Sequence, residues 1–164
     1  MKAELEDGFE SFVAATGDRW YRLAYAITRD HEMAGDAVHS ALSAANARWR
    51  TVSRDPEPFV RRVLVKVVLG WGRRFSTPVR PHDGVRVRRA ADREMVDTDA
   101  VWAALRELPV GQRAVIVLRY YERLSEDDVA RTLAIQPETV HAQTNAALSD
   151  LRRLLALARQ RARA

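Results

Sequence analysis

The residues best spaced for chemistry lie between Leu124 and Leu151, and the chemistry they suit is recognition of DNA. Ser125 can cap a helix start, with Asp128 at the third helical position as a variant capping box. Val129, Ala130 and Leu133 then form an apolar stripe at helical spacing. A short turn follows. Pro137 opens a second helix, at a position where a missing N–H costs nothing. Val140, Thr144, Ala147, Leu148 and Leu151 give that helix a face to bury. This is the pattern of a helix-turn-helix, whose second helix enters the major groove. On its other face Gln143 and Asn145 carry amides that can pair with adenine edges. From Pro137 to Leu151 there is no Lys or Arg, and the formal charges are Glu138 and Asp150.

Nothing else is arranged for a reaction. No Ser/His/Asp set, Gly-rich phosphate loop or paired carboxylates stand at catalytic spacing, so an enzyme is not expected. His31, His39, His82 and His141 lack ligand spacing, and with no cysteine there is no thiolate site; no metal or cofactor is expected. The 164 residues suit one domain or two small ones. At 47% hydrophobic and 30% charged, the chain is of globular type. The net charge of +5 fits a nucleic-acid partner without demanding one. Nearly all the cations are Arg; Lys2 and Lys66 are the two lysines. The start, Met1 to Asp7, is acidic and unlike a signal peptide. No apolar run reaches the ~18 residues of a membrane span. The expectation is a cytoplasmic protein with no membrane insertion.

The elements needed to position the motif are all helices. Phe9, Phe12, Val13, Trp20, Leu23, Ala24 and Ile27 share one helical face. Thr28 to His31 breaks the pattern, and Met33, Ala37, Val38, Ala41, Ala45 and Trp49 resume it. Thr51 to Pro58 reads as a loop, and a third helix runs from Phe59 to Trp71, ending in Gly72-Arg73-Arg74. Residues 76–97, with Pro78, Pro81, Gly84 and several arginines, read as a linker. Beyond it, Val101, Trp102, Leu105 and Leu108 make a short helix stopped by Pro109, and Gly111-Gln112-Arg113 opens another. The fold class is all-α, with two small helical domains, 1–75 and 98–164, joined by the linker 76–97.

Three stretches carry a family likeness. They are Tyr21 to Asp30 followed by Ala34-Gly35-Asp36-Ala37-Val38, then Phe59-Val60-Arg61-Arg62-Val63-Leu64-Val65, then Leu108-Pro109-Val110-Gly111-Gln112-Arg113 running through Tyr121 into the helix-turn-helix. Together they resemble the extracytoplasmic-function sigma factors of the sigma-70 family, in their actinobacterial form. The resemblance implies a first domain (sigma region 2-like) that binds the RNA polymerase core and melts the −10 element of promoter DNA. It implies a second domain (sigma region 4-like) that reads the −35 element, and commonly an anti-sigma factor or other regulatory protein as partner.

Carried over residue by residue, it places polymerase contact at Asp36, His39 and Ser40, where the family usually has Asp, Gln and Glu. It places promoter contacts at Arg61, Arg62, Lys66, Arg73 and Arg74, with Lys66 standing where an Asn is usual. In the second domain it points to Thr139, His141, Gln143 and Asn145. Here the departures are many. Ala134 replaces the turn Gly, Gln136 the capping Ser and Glu138 a Gly; His141, Gln143 and Ala146 replace basic residues, and Asp150 stands at a frequently basic position. Phosphate neutralisation dominates DNA affinity, so this domain is expected to bind DNA weakly.

Three functions fit these residues. One is a working sigma factor directing core polymerase to promoters. The second is a degenerate sigma-like regulator acting through protein–protein contact with polymerase or another regulator. The third is a free-standing helix-turn-helix repressor, against which the polymerase-binding domain argues.

Overall fold

The structure is a computed structural model that describes the backbone of residues 2–74 and 93–163 and the side chains of 8–70 and 99–161. Among the described residues every regular element is helical. The first half holds α1 (Lys2–Thr28), α2 (His31–Ala47), the single turn α3 (Trp49–Val52) and α4 (Glu57–Arg74). The second holds α5 (Arg93–Glu107), α6 (Val110–Ile116), a π-helical turn (Val117–Tyr121), α7 (Glu126–Leu133) and α8 (Pro137–Arg163).

Three boundaries differ from the reading of the sequence. Chain expected as loop after Thr51 begins inside α3, whose turn is closed by the Ser53 amide donating to the Trp49 carbonyl. The third helix starts at Glu57, ahead of Pro58, because proline is tolerated in a first turn where its missing N–H has no partner to lose. Of the linker 76–97, residues 76–92 lie outside the described residues. Its last five, 93–97, belong to α5, where Arg93, Glu94 and Met95 are good helix formers that precede the apolar stripe.

Small residues set the first half's packing. Ala34, Ala37, Ala41 and Ala45 are fully buried along one face of α2. With no side chain beyond Cβ, that face can lie close to both α1 and α4. Trp20, Leu23 and Ile27 of α1 meet Val60, Leu64, Val65 and Val68 of α4 across it. Asp30 caps α2, its carboxylate accepting from the Met33 amide at 2.8 Å. Trp49 is buried between Phe9 and Phe12, with ring centroids at 5.2 and 5.4 Å. Packing therefore accounts for its position. The side chain of Trp71 lies outside the described residues.

The second half closes around Val115, Val117, Leu118, Val129 and Val140, and a smaller cluster of Leu105, Leu108, Ile116, Ala147 and Leu151 ties α5 to α6 and α8. The larger apolar cluster is continuous with that of the first half. The two halves pack on each other, with α7 and α6 against α4 and α6 against α1. Arg113 is a polar anchor across the seam. It donates to the carbonyls of Leu105 (2.8 Å), Arg106 (2.8 Å) and Leu108 (2.9 Å), and to Ile27 at the end of α1 (2.7 Å). Burial, then the nearby Arg29, pushes its guanidinium down to about 10, so it stays charged at neutral pH.

Candidate nucleic-acid and polymerase interfaces

The helix-turn-helix is assembled by local rules. Ser125 has extended backbone angles, and its hydroxyl accepts from the Asp128 amide at 3.1 Å. The hydroxyl in turn donates to the Asp128 carboxylate at 2.6 Å, which orients it to cap the helix. This hydroxyl, and next Arg131, hold the Asp128 carboxyl below the usual carboxylate range. Glu126, Asp127 and Asp128 all stand in the first turn, where the helix dipole favours negative charge. Val129 and Ala130 bury against the core together with Val140, Thr144 and Ala147 of α8. The Thr144 hydroxyl is satisfied by the Val140 carbonyl at 2.7 Å, so its burial costs little.

The turn carries strain where Ala134 replaces the family's usual Gly. Ala134 ends α7 at φ 55°, ψ 47°, the left-handed region that glycine reaches without penalty. Ala134→Gly is therefore expected to stabilise the chain by about 1 kcal/mol, less a small entropic cost. Thermal denaturation should show a rise in Tm of about 2–4 °C. A fall in Tm would contradict the strain.

Between Pro137 and Leu151 the exposed positions of α8 are Glu138, Thr139, His141, Ala142, Asn145, Ala146 and Ser149. Of the four residues singled out on this helix, Thr139, His141 and Asn145 face outward. Gln143 is half-buried, with its Oε1 3.9 Å from where a Cβ on Gly111 would stand, so it leans on α6. His141 and Asn145 are linked: the Asn145 amide nitrogen is 3.0 Å from His141 Nε2, and His141 Nδ1 is 3.4 Å from a Glu126 carboxylate oxygen. Asn145 is then the exposed amide on this face, already oriented by its neighbour. Of the cations flanking this face, Arg131 pairs with Asp128 and Arg153 with Asp150, while Arg152 is exposed on α8.

In the first half Asp36 and His39 are exposed and Ser40 is half-buried, on the side of α2 away from the alanine stripe. The polymerase-contact candidates thus share one accessible surface. On α4, Arg62 and Lys66 are exposed one turn apart. Arg61 is placed differently, 9% exposed and turned into the seam. The side chains of Arg73 and Arg74 lie outside the described residues.

Around Arg61 stands a group that spacing alone did not single out. Glu122, just after the π-helical turn, has a side chain only 4% exposed. One of its oxygens accepts from Arg19 at 2.9 Å and from Arg61 at 3.3 Å. Glu57 completes the group, 2.8 Å from Arg19 and 3.7 Å from Arg61. The ring of Trp20 lies under both guanidinium groups, 5.1 and 5.9 Å from its centroid. Burial alone would lower the Arg19 guanidinium, but the hydrogen bonds to Glu122 and Glu57 outweigh it and raise it. Among the described residues no group of side chains is placed to hold a metal, and no helix is long and apolar enough to cross a membrane.

The chain is similar to known proteins. Residues 98–151 match the family model described as Sigma-70, region 4. The chain is similar to the RNA polymerase sigma-E factor of Streptomyces coelicolor, 28% identical over 148 residues, covering 88% of this chain and 84% of that one. It is similar to the ECF RNA polymerase sigma factor SigM of Mycobacterium tuberculosis, 30% identical over 138 residues, covering 82% and 70%. Among solved structures, CnrH in complex with the cytosolic domain of CnrY has a similar fold, with a TM-score of 0.60 over 91% of this chain and 88% of that one, at 23% identity. The matches span both halves. The chain belongs to the extracytoplasmic-function sigma factors of the sigma-70 family.

Proposed function

We propose that this protein brings core RNA polymerase to promoters, using the exposed Asp36–His39 face of α2 to hold the polymerase and α4 with α8 to meet DNA. The observation that carries the reading is the joining, in one chain, of a helix-turn-helix to a separate accessible face at the family's polymerase-contact positions. Such work takes place in the cytoplasm and assigns no catalytic step to this chain. The solved relative was seen with the cytosolic domain of another protein, which supports a regulatory protein partner here also. The cation-poor face of α8 bears on how tightly the second half holds DNA, and it does not by itself favour the degenerate-regulator reading.

Asp36→Arg tests the polymerase face. The residue is exposed, so reversal of its charge leaves the fold intact. In a pull-down with core polymerase, the variant is expected to bind at least tenfold more weakly, on the scale of a lost charge-assisted contact at an interface. Equal binding by both proteins would contradict this placement of the polymerase face.

A further inference from the structure

His141 and Asn145 stand one turn apart on the exposed face of α8, and they are tied to two other elements. Asn145 Nδ2 is 3.0 Å from His141 Nε2, and His141 Nδ1 is 3.4 Å from Glu126 Oε1 on α7. Arg119 of the π-helical turn lies 3.6 Å from the same carboxylate oxygen. An amide nitrogen can only donate, so Nε2 is the acceptor in the first contact. In the neutral ring the proton then sits on Nδ1, which faces Glu126, and a carboxylate at Nδ1 favours that tautomer. A donor thus meets an acceptor at each of the three contacts.

This arrangement leaves the informative edge of the amide free. An Asn amide has one carbonyl oxygen and two N–H groups. One N–H goes to His141. The oxygen and the other N–H remain, and they match the N6–H donor and N7 acceptor that adenine shows in the major groove. An amide drawn by its oxygen would instead turn its N–H groups outward, and two donors suit the O6 and N7 acceptors of guanine. The partner at position 141 therefore decides which base the amide prefers. Ala142, Ala146 and Ser149 flank Asn145 on the exposed face. Their small side chains allow the close approach that a short Asn needs to reach a base.

We propose that His141 is a positioning residue for promoter reading: held by Glu126, it fixes the Asn145 amide so that its outer edge selects one adenine. The assignment rests on the sigma-factor reading and deepens it. The basic residue usual in the family at position 141 could only donate; His141 accepts, so this departure changes what the helix reads as well as how tightly it binds.

The test is selection by the holoenzyme. Core polymerase with the full chain, or with a variant, binds a duplex library randomised over the upstream promoter element, and the bound pool is sequenced. The unmodified chain is expected to prefer adenine at one position by at least about tenfold, the scale of one bidentate pair. Asn145→Ala is expected to flatten that position. His141→Lys, a pure donor, should draw the amide oxygen and reduce the adenine preference there to about threefold or less, although overall binding tightens. His141→Gln can turn its own amide nitrogen to Glu126 and its oxygen to Asn145, and should keep the preference at about fivefold or more. A loosened helix would flatten every position, so loss confined to one position, with retention in His141→Gln, supports the assignment. Adenine preference that survives Asn145→Ala or His141→Lys overturns it, as does equal loss in both His141 variants. Selection of an upstream sequence without that adenine defeats the assignment alone. A holoenzyme that selects no upstream sequence defeats the sigma-factor reading and the assignment with it.

Discussion

Arg113→Ala is expected to destabilise the chain by about 3–5 kcal/mol, a large part of a typical stability of about 5–15 kcal/mol. The side chain gathers four backbone carbonyls, three from the end of α5 and its turn and one from the end of α1. Helix ends leave such carbonyls without intrahelical partners, and this guanidinium satisfies them at a buried seam. Removal loses charge-assisted hydrogen bonds and leaves acceptors that water reaches poorly. Arg113→Lys keeps the charge but has one nitrogen where the fork has three, so it should recover less than half of the loss. Chemical denaturation of the three proteins measures this. A loss below about 1 kcal/mol for the alanine variant would show that water replaces the fork and would contradict its anchoring role.

The second large effect concerns DNA. A variant carrying His141→Lys, Ala146→Arg and Asp150→Lys should bind duplex DNA about 100-fold more tightly at 0.15 M salt, if each new cation neutralises one phosphate. The dependence of log K on log salt should steepen by about 2.7, at about 0.9 per phosphate. His141 and Ala146 are exposed on α8, and Asp150 now pairs with Arg153, so its replacement also frees that arginine. Titrating the isolated duplex with both proteins at two salt concentrations separates the slope from the affinity. Tight sequence-specific binding by the unmodified protein, unimproved in the variant, would mean that Thr139 and Asn145 read DNA without help from charge.

Local rules made most of the fold legible in the sequence. The Ser125–Asp128 cap and the start of α8 at Pro137 each follow from a few adjacent residues, and each stands as the spacing implied. The buried faces of α1, α2 and α4 followed from helical periodicity. Arg61 shows where that reasoning stops. The family likeness placed it with Arg62 at promoter contact, but a single helix face cannot reveal a carboxylate arriving from residue 122. Gln143 is similar: its amide suited base readout, but it is half-buried beside Gly111 of α6. Both outcomes depend on contacts between residues far apart in the chain, which spacing does not encode. The signal that could have flagged Arg113 was present, as a lone cation leading the apolar run Ala114-Val115-Ile116-Val117-Leu118.

Run-off transcription tests the central claim most directly. Purified core polymerase would be combined with this protein and with promoter DNA taken from a genome-wide binding experiment. The account predicts a discrete transcript that requires the protein, starts at one position downstream of the bound site, and weakens with Asp36→Arg. Absence of any transcript at every bound site, from a polymerase that responds to another sigma factor in the same assay, would contradict it.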